Sequence, residues 1–260
     1  MSTPSGVPQA PVSAGGVEGQ AAVIGELQQK EMYSLRFDGS SYLKRTSDSN
    51  GNSNTWTYSL WAKRTNLESN MHLLSEEGGA HVGGTDISFC SFRNTDVLNN
   101  YFHYSGTKYD VRSTAVYRDT NSWYHIVFVL DLTNSMAGDR ETIYVNGKLV
   151  SDVHTVDGSA SNPSRINSGH SVLIGNESAR YRYPFKGYLA NIHFIDGEAL
   201  EPSSFGELIS DVWRPASYSG DYGVNGFHLD FDPDNMVYDS NGKLTQVKDA
   251  SGNDNHWTAN

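Results

Sequence analysis

A single cysteine, Cys90, occurs in the 260 residues. One thiol cannot build a disulfide framework, so the fold must rest on packing alone. Cys90 stands in "DISFCSF", where a small buried hydrophobe suits the surroundings better than a nucleophile does. Long apolar runs are also lacking. Nothing approaches the roughly 20 consecutive apolar residues that a membrane-crossing helix needs. The N-terminus carries neither an early basic cluster nor an apolar signal core, so the chain is expected to be made in the cytoplasm without membrane insertion. Positive charge is scarce: 19 Lys and Arg stand against 30 Asp and Glu, a net charge of −11. Bulk electrostatics therefore oppose nucleic-acid partners. Lys44-Arg45, Lys63-Arg64 and Arg180/Arg182 are isolated basic pairs that read as a solvated rim. His72, His81, His103, His125 and His193 show no zinc spacing. No glycine-rich loop precedes a helix, so nucleotide binding has no support.

What the chain does have is short alternating segments. Aromatics make up 12% of it and there are 25 glycines, a composition that favours strands and turns over long helices. In "WYHIVFVLDL", Tyr124, Ile126, Phe128 and Leu130 share one face, while Trp123, His125, Val127 and Val129 share the other. Asn146-Gly147 predicts a type I′ hairpin, because both central residues must accept positive φ. Asp131 is expected to open the turn after its strand, and His125 to be a hydrogen-bonded sheet histidine rather than a base. About eleven such segments separated by Gly, Asn, Asp and Ser predict an all-β, antiparallel two-sheet sandwich over residues 32–260. The expected inner residues are Phe37, Trp56, Leu60, Ile126, Phe128, Leu130, Tyr144, Leu173 and Ile192. A helical turn is expected within Pro202–Leu208, and "SEEGGAH", with Glu76-Glu77, reads as a loop. Residues 1–31 differ: rich in Pro, Gly, Ser, Ala and Gln, they predict an arm that is flexible or ordered by a partner.

Several segments resemble one family. "LRFDGSSYLKRT", "TWTYSLWAKR", "NSWYHIVFVLDLTN" with "TIYVNGKLV", "SVLIGN" and "PFKGYLANIHFIDGEAL" are similar, in order, to strands of concanavalin A-like, laminin-G-like jelly rolls. Asn191 departs from the pattern, standing where related versions carry an acidic residue. The following segments, "ALEPSSFGEL", "VWRPASYSGDYGVNGFHLDF" and "DASGNDNHWTAN" (residues 199–260), resemble a C-terminal extension found on virion proteins of tailed phages, especially marine ones. The resemblance implies a jelly roll with a turn-rich C-terminal extension. It also implies a non-enzymatic virion protein, a head decoration or tail and fibre component, with a role in attachment to glycans. Its partners would be capsid or tail proteins, sister copies and cell-surface glycans.

Two alternatives remain: a free lectin-like domain and a glucanase-type hydrolase. Hydrolysis needs two carboxyl groups facing one sugar. Asp230, Asp232 and Asp234 have the spacing of one strand face, but Pro233 interrupts the ladder, and the family's Glu-x-Asp-x-x-Glu motif is missing. Calcium is the candidate cation, with Asp232 and Asp234 in "DPDN" and Asp48 in "SDSNGNSN" as oxygen ligands; ordinary Asx-turn chemistry competes for the same residues. For glycan or partner binding, the candidates are Tyr181 and Tyr183 with Arg180 and Arg182, and Tyr101, Tyr104 and Tyr109. Aromatic rings beside amide and guanidinium groups suit the apolar faces and hydroxyl rims of sugars, although Tyr alternating with Arg also reads as plain sheet surface.

Overall fold

A computed structural model describes residues 32–77, 87–104, 107–157, 164–177 and 183–260. The N-terminal arm, together with Tyr181, Arg180 and Arg182, lies outside the described residues. The strands are, in order, β1 (Ser34–Asp38), β2 (Leu43–Thr46), β3 (Thr55–Arg64), β4 (Met71–Glu76), β5 (Ile87–Phe92), β6 (Val97–Tyr104) and β7 (Thr107–Val116). Next come β8 (Tyr124–Asp131), β9 (Glu141–Val145), β10 (Lys148–Leu149), β11 (Ser151–Asp157), β12 (Ser171–Ile174) and β13 (Lys186–Asp196). The C-terminal extension adds β14 (Gly206–Ile209), β15 (Val212–Pro215), β16 (Phe227–Leu229), β17 (Met236–Tyr238), β18 (Leu244–Val247) and β19 (Trp257–Ala259).

These strands form two antiparallel sheets and one hairpin. The seven-stranded sheet runs β1-β13-β3-β8-β9-β10, with β16 also pairing β13. The ten-stranded sheet runs β11-β7-β6-β5-β4-β12-β2-β19-β18-β17, and β14-β15 stand apart as a hairpin. The extension does more than wrap an edge. It contributes β16 to one sheet and β17 to β19 to the other, and its Phe227, Leu229 and Trp257 belong to the main core.

Alternation decides which residues enter that core. Ile126, Phe128 and Leu130 face inward, and Val127 and Val129 face outward into a second cluster with Ile195, Phe205 and Tyr222. Phe37, Trp56, Leu60 and Ile192 lie in the main core as expected. Tyr144 does not: in β9 it alternates with Ile143, so Ile143 is buried inside and Tyr144 packs, half-buried, on the outer cluster. Leu173 is buried but alternates with Val172 and Ile174, which are the β12 residues of the main core. Glu76 also departs from expectation. It closes β4 as a buried residue and ion-pairs with Arg165 at 2.8 Å. Within Pro202–Leu208 only Pro202–Ser204 is helical, a single 3-10 turn, after which the chain extends into β14.

Two backbone positions show why particular residues stand where they do. Asn146 and Gly147 have φ of 48° and 78°, the type I′ geometry that joins β9 to β10. Asn191 has φ of 45° at the register shift of β13, where pairing passes from β1 to β16 along the same edge. Asn tolerates this left-handed conformation better than most residues. Its Oδ1 accepts a hydrogen bond from His228 Nε2 at 2.8 Å, so the bulge is tied to the extension.

Candidate glycan-binding groove

The outward-facing side chains of β4 to β7 line a groove of about 370 Å³. Strand register explains its composition. Phe89 of β5 lies opposite Tyr101 of β6, which lies opposite Asp110 of β7. His72 of β4 reaches Phe89 from the other side, and its backbone N–H donates to the Tyr183 carbonyl at 2.9 Å. The result is a continuous aromatic series across three strands. Ring centroids are 5.2 Å apart for Tyr183–His72, 4.3 Å for His72–Phe89 and 5.0 Å for Phe89–Tyr101. Lys108 Nζ sits 5.8 Å from the Tyr101 ring centre, beyond the last ring.

Polar groups frame the rings. Arg112 holds Asp110 in a two-pronged ion pair, Nε to Oδ1 at 2.9 Å and Nη2 to Oδ2 at 2.7 Å. Asn99 Nδ2 also donates to Asp110 Oδ1 at 3.0 Å, and Arg93 Nη1 donates to Asn99 Oδ1 at 3.1 Å. The two guanidiniums are thus fixed through one asparagine. Asn70, Ile87 and Glu177 complete the wall. His72 is buried, and that burial, reinforced by the Arg93 charge, lowers its pKa to about 3, so the ring is neutral at ordinary pH. Its Nδ1 is buried without a hydrogen-bond partner among the described residues.

Of the residues singled out in the sequence, Tyr101 and Tyr183 meet in this one groove although they come from distant segments. Tyr109 is excluded from it. It is 0% exposed and packs in the core, its ring 4.5 Å from that of Phe102, because it alternates with Asp110 on β7. Tyr104 ends β6, and its side chain lies outside the described residues. Sequence reading missed His72, Phe89, Arg93, Asp110 and Arg112. The alternation Ile87, Phe89 opposite Ser88, Cys90 carried a signal for Phe89, since the buried cysteine places the phenylalanine outside.

Of the carboxylates considered as metal ligands, Asp232 has a turn-building role, as does its neighbour Asp230. Asp232 accepts from the Asp234 amide at 2.9 Å, and Asp230 accepts from the Asp232 amide and from Asn235 Nδ2, both at 3.0 Å. Phe231, with φ of 56°, ends the extended run and prevents Asp230, Asp232 and Asp234 from lining one strand face. Asp234 is exposed. The "SDSNGNSN" loop is tied down by Asp196, whose Oδ1 accepts from the Asn52 amide at 2.7 Å and from Asn167 Nδ2 at 2.6 Å. Asp48 faces a second cavity, of about 410 Å³, beside the buried cation Arg45. Among the described residues no three His, Cys, Asp or Glu side chains converge as a metal-holding group.

A family model described as "Concanavalin A-like lectin/glucanases superfamily" matches residues 37–204. Among solved structures, a candidate carbohydrate-binding protein from Bacteroides ovatus is similar in fold, with 15% identity, TM-score 0.61 and 89% of this chain covered. This chain spans 59% of that protein's length. Two looser likenesses are a heptameric SAP-like pentraxin from Limulus polyphemus (18% identity, TM-score 0.47, 64% of this chain and 76% of that one) and domain 4 of an extracellular arabinanase from Geobacillus stearothermophilus (19%, 0.45, 65% and 73%). No curated protein sequence matches the chain.

Proposed function

Because the chain belongs to the concanavalin A-like lectin/glucanase superfamily, we propose that it acts as a non-catalytic carbohydrate-binding domain whose ligand lies in the groove of β4 to β7. The observation that carries this reading is the aromatic series Tyr183–His72–Phe89–Tyr101 framed by Arg93, Arg112 and Asp110. Rings take up the apolar C–H faces of a sugar, and the fixed guanidiniums meet its hydroxyl rim. Binding suits this site better than hydrolysis. A glycosidase needs one carboxyl free to donate a proton and another free to attack or activate water. Asp110 is committed to Arg112 and Asn99 instead. Likeness in fold to the Bacteroides ovatus protein is in keeping with a binding role.

One sugar on two or three rings gains little, so affinity for a single site is expected near millimolar, about −4 kcal/mol. The test is a glycan array probed with a multivalent form, in which avidity raises the signal by about 10²–10⁴. Tyr101→Ala and Tyr183→Ala should each weaken binding by about 0.5–1.5 kcal/mol per site with melting unchanged. Full binding by both variants would move the site elsewhere.

The setting we infer is a virion. Residues 199–260 resemble extensions on phage virion proteins, and residues 1–31 read as an arm that joins the domain to capsid or tail proteins or to sister copies. Mass spectrometry of purified particles should find the chain in many copies. Removal of residues 1–31 should leave a folded domain that no longer joins particles; normal incorporation of the shortened chain would contradict the anchoring role.

A further inference from the structure

Among the described residues, the outer face of the seven-stranded sheet is roofed at one end only. There the β14-β15 hairpin lies against it, with Trp213 Nε1 donating to His125 Nδ1 at 2.8 Å and Phe205 joining Val127 and Val129. At the other end, register sets a row of alternating charge and aromaticity. Arg36 of β1 is opposite Tyr188 of β13, and Tyr188 is opposite Lys63 of β3. Ala62 pairs with Tyr124, so the preceding residue, Trp123, stands opposite Lys63 and ends the row. All four point away from the core, since Phe37, Leu189, Ala62 and Ile126, at alternating positions of the same strands, point into it. The Trp123 and Tyr188 rings meet across the Lys63 position with centroids 6.5 Å apart at 60°. Both rings are half-buried, and Arg36 is exposed.

The cations of this row are loosely held: after the hydrogen bonds from Ser122 and Asn121, the Lys63 charge is a further cause that keeps the Asp119 pKa below the usual carboxylate value. Neither Arg36 nor Lys63 enters an ion pair among the described residues. Lys186, in register with Asp38 at the margin, is a second exposed cation beside Arg36, while Lys63 is half-buried. The two nearby carboxylates are turned to their own loops. Asp38 accepts from the Ser40 and Ser41 amides and hydroxyls, and Asp119 accepts from the Asn121 amide and the Ser122 hydroxyl. In a chain of net charge −11 this is a local reversal of sign.

We propose that this open half of the sheet is a second, flat carbohydrate-binding surface, and that its ligand is a linear polysaccharide bearing sulfate or carboxylate groups. Arg36 and Lys63 stand two strands apart, roughly 9–10 Å, with the Tyr188 ring between them. A polymer lying along the row sets a sugar face on Tyr188 or Trp123 and its anionic substituents over the flanking cations. A neutral polymer would leave both cations unused. An anionic membrane fits less well, because half-buried rings flush with a sheet have nothing to insert. A protein partner fits less well too: Tyr, Trp and Arg suit an interface, but a single row of four residues falls short of the roughly 20–30 residues a side that a stable one uses.

The test uses the full chain on immobilised dextran sulfate, polygalacturonate and unmodified dextran, over a range of salt. The charged polymers should retain the protein in a salt-sensitive way. The double variant Arg36→Gln/Lys63→Gln should lose about tenfold or more in affinity, with melting unchanged, whereas the groove variant Tyr101→Ala should bind the charged polymers as the parent does. Failure of either charged polymer to bind, equal binding by the double variant, or equal retention on dextran would overturn the proposal. Loss of charged-polymer binding in Tyr101→Ala would assign that ligand to the groove and also overturn it. Because the groove is read out by its own variant, failure here leaves the groove reading standing.

Discussion

Glu141 is the residue whose environment is most at odds with its chemistry. It sits in β9, alternating inward with Ile143, and is 1% exposed. Among the described residues neither of its carboxyl oxygens has a hydrogen-bond partner. Burial, with a further contribution from Asp110, pushes its pKa well above the usual carboxylate value. The folded state therefore holds a proton that the unfolded state releases above about pH 4.5. Stability linked to this group is full below that pH and falls as pH rises toward the folded pKa. Glu141→Gln keeps the shape and removes the ionisation. Its melting temperature should match the parent at pH 4 and exceed it at pH 8, and the reverse order would show that Glu141 is ionised and paired.

The buried histidines act with the opposite sign. His125 accepts from Trp213 Nε1 at its Nδ1 and lies 2.9 Å from Ser59 Oγ through Nε2, so protonation at Nδ1 would oppose a donor. Burial lowers its pKa to about 3, as burial and Arg93 do for His72. The unfolded chain takes up these protons near pH 6.5, the folded one near 3, so stability is present above pH 6.5 and is lost as pH falls from 6.5 toward 3. A His72→Gln variant should lose less stability between pH 7 and pH 4 than the parent in chemical denaturation. An equal loss would mean that His72 titrates normally.

At the scale of elements, β8 is the central strand on which the account of packing depends. It lies between β3 and β9, with Phe128 fully buried and its ring 6.4 Å from that of Tyr58. Phe128→Ala should cost about 3–5 kcal/mol in denaturant unfolding, and a loss of surface size would mean that the inner face is misassigned. The C-terminal extension is equally structural. Phe227 stacks on Phe194 at 5.6 Å and Trp257 meets Phe227 edge-on at 4.8 Å. Truncation before residue 206 strips these rings from the core and removes four sheet strands. The shortened chain should show no cooperative melting transition by circular dichroism; a sharp one would make the extension an accessory.

Much of this was legible locally. Alternation in "WYHIVFVLDL" assigned the two faces of β8, and Asn146-Gly147 marked the hairpin of β9 and β10. Tyr144 was misread because its inward or outward sense depends on the register of β9 against β8, which places Ile143 opposite Phe128. The groove was half legible. Tyr101 and Tyr183 stood out as aromatics among polar neighbours, but their meeting depends on β4, β5 and β6 lying side by side, and such non-local pairing leaves no mark in either segment. Asp110 and Arg112 looked like ordinary strand charges until the fold set them beside the rings.

At the scale of the whole molecule, the described residues form a sandwich with one groove on the ten-stranded sheet and one row of cations and rings on the seven-stranded sheet. Net charge of −11 repels anionic surfaces at a distance, so either site must act through short-range contacts. Weak single-site affinity combined with many copies is the regime in which such a domain is useful. The central claim is that a sugar sits on the aromatic series of β4 to β6. It is tested most directly by NMR titration of the 15N-labelled chain with the oligosaccharide selected on the array. Saturable amide shifts should concentrate at His72, Phe89, Tyr101, Asp110, Arg112 and Tyr183, with the half-saturating concentration raised about two- to tenfold in Tyr101→Ala. Shifts that spare these residues and gather around the Arg45 cavity or the β14-β15 hairpin would contradict it.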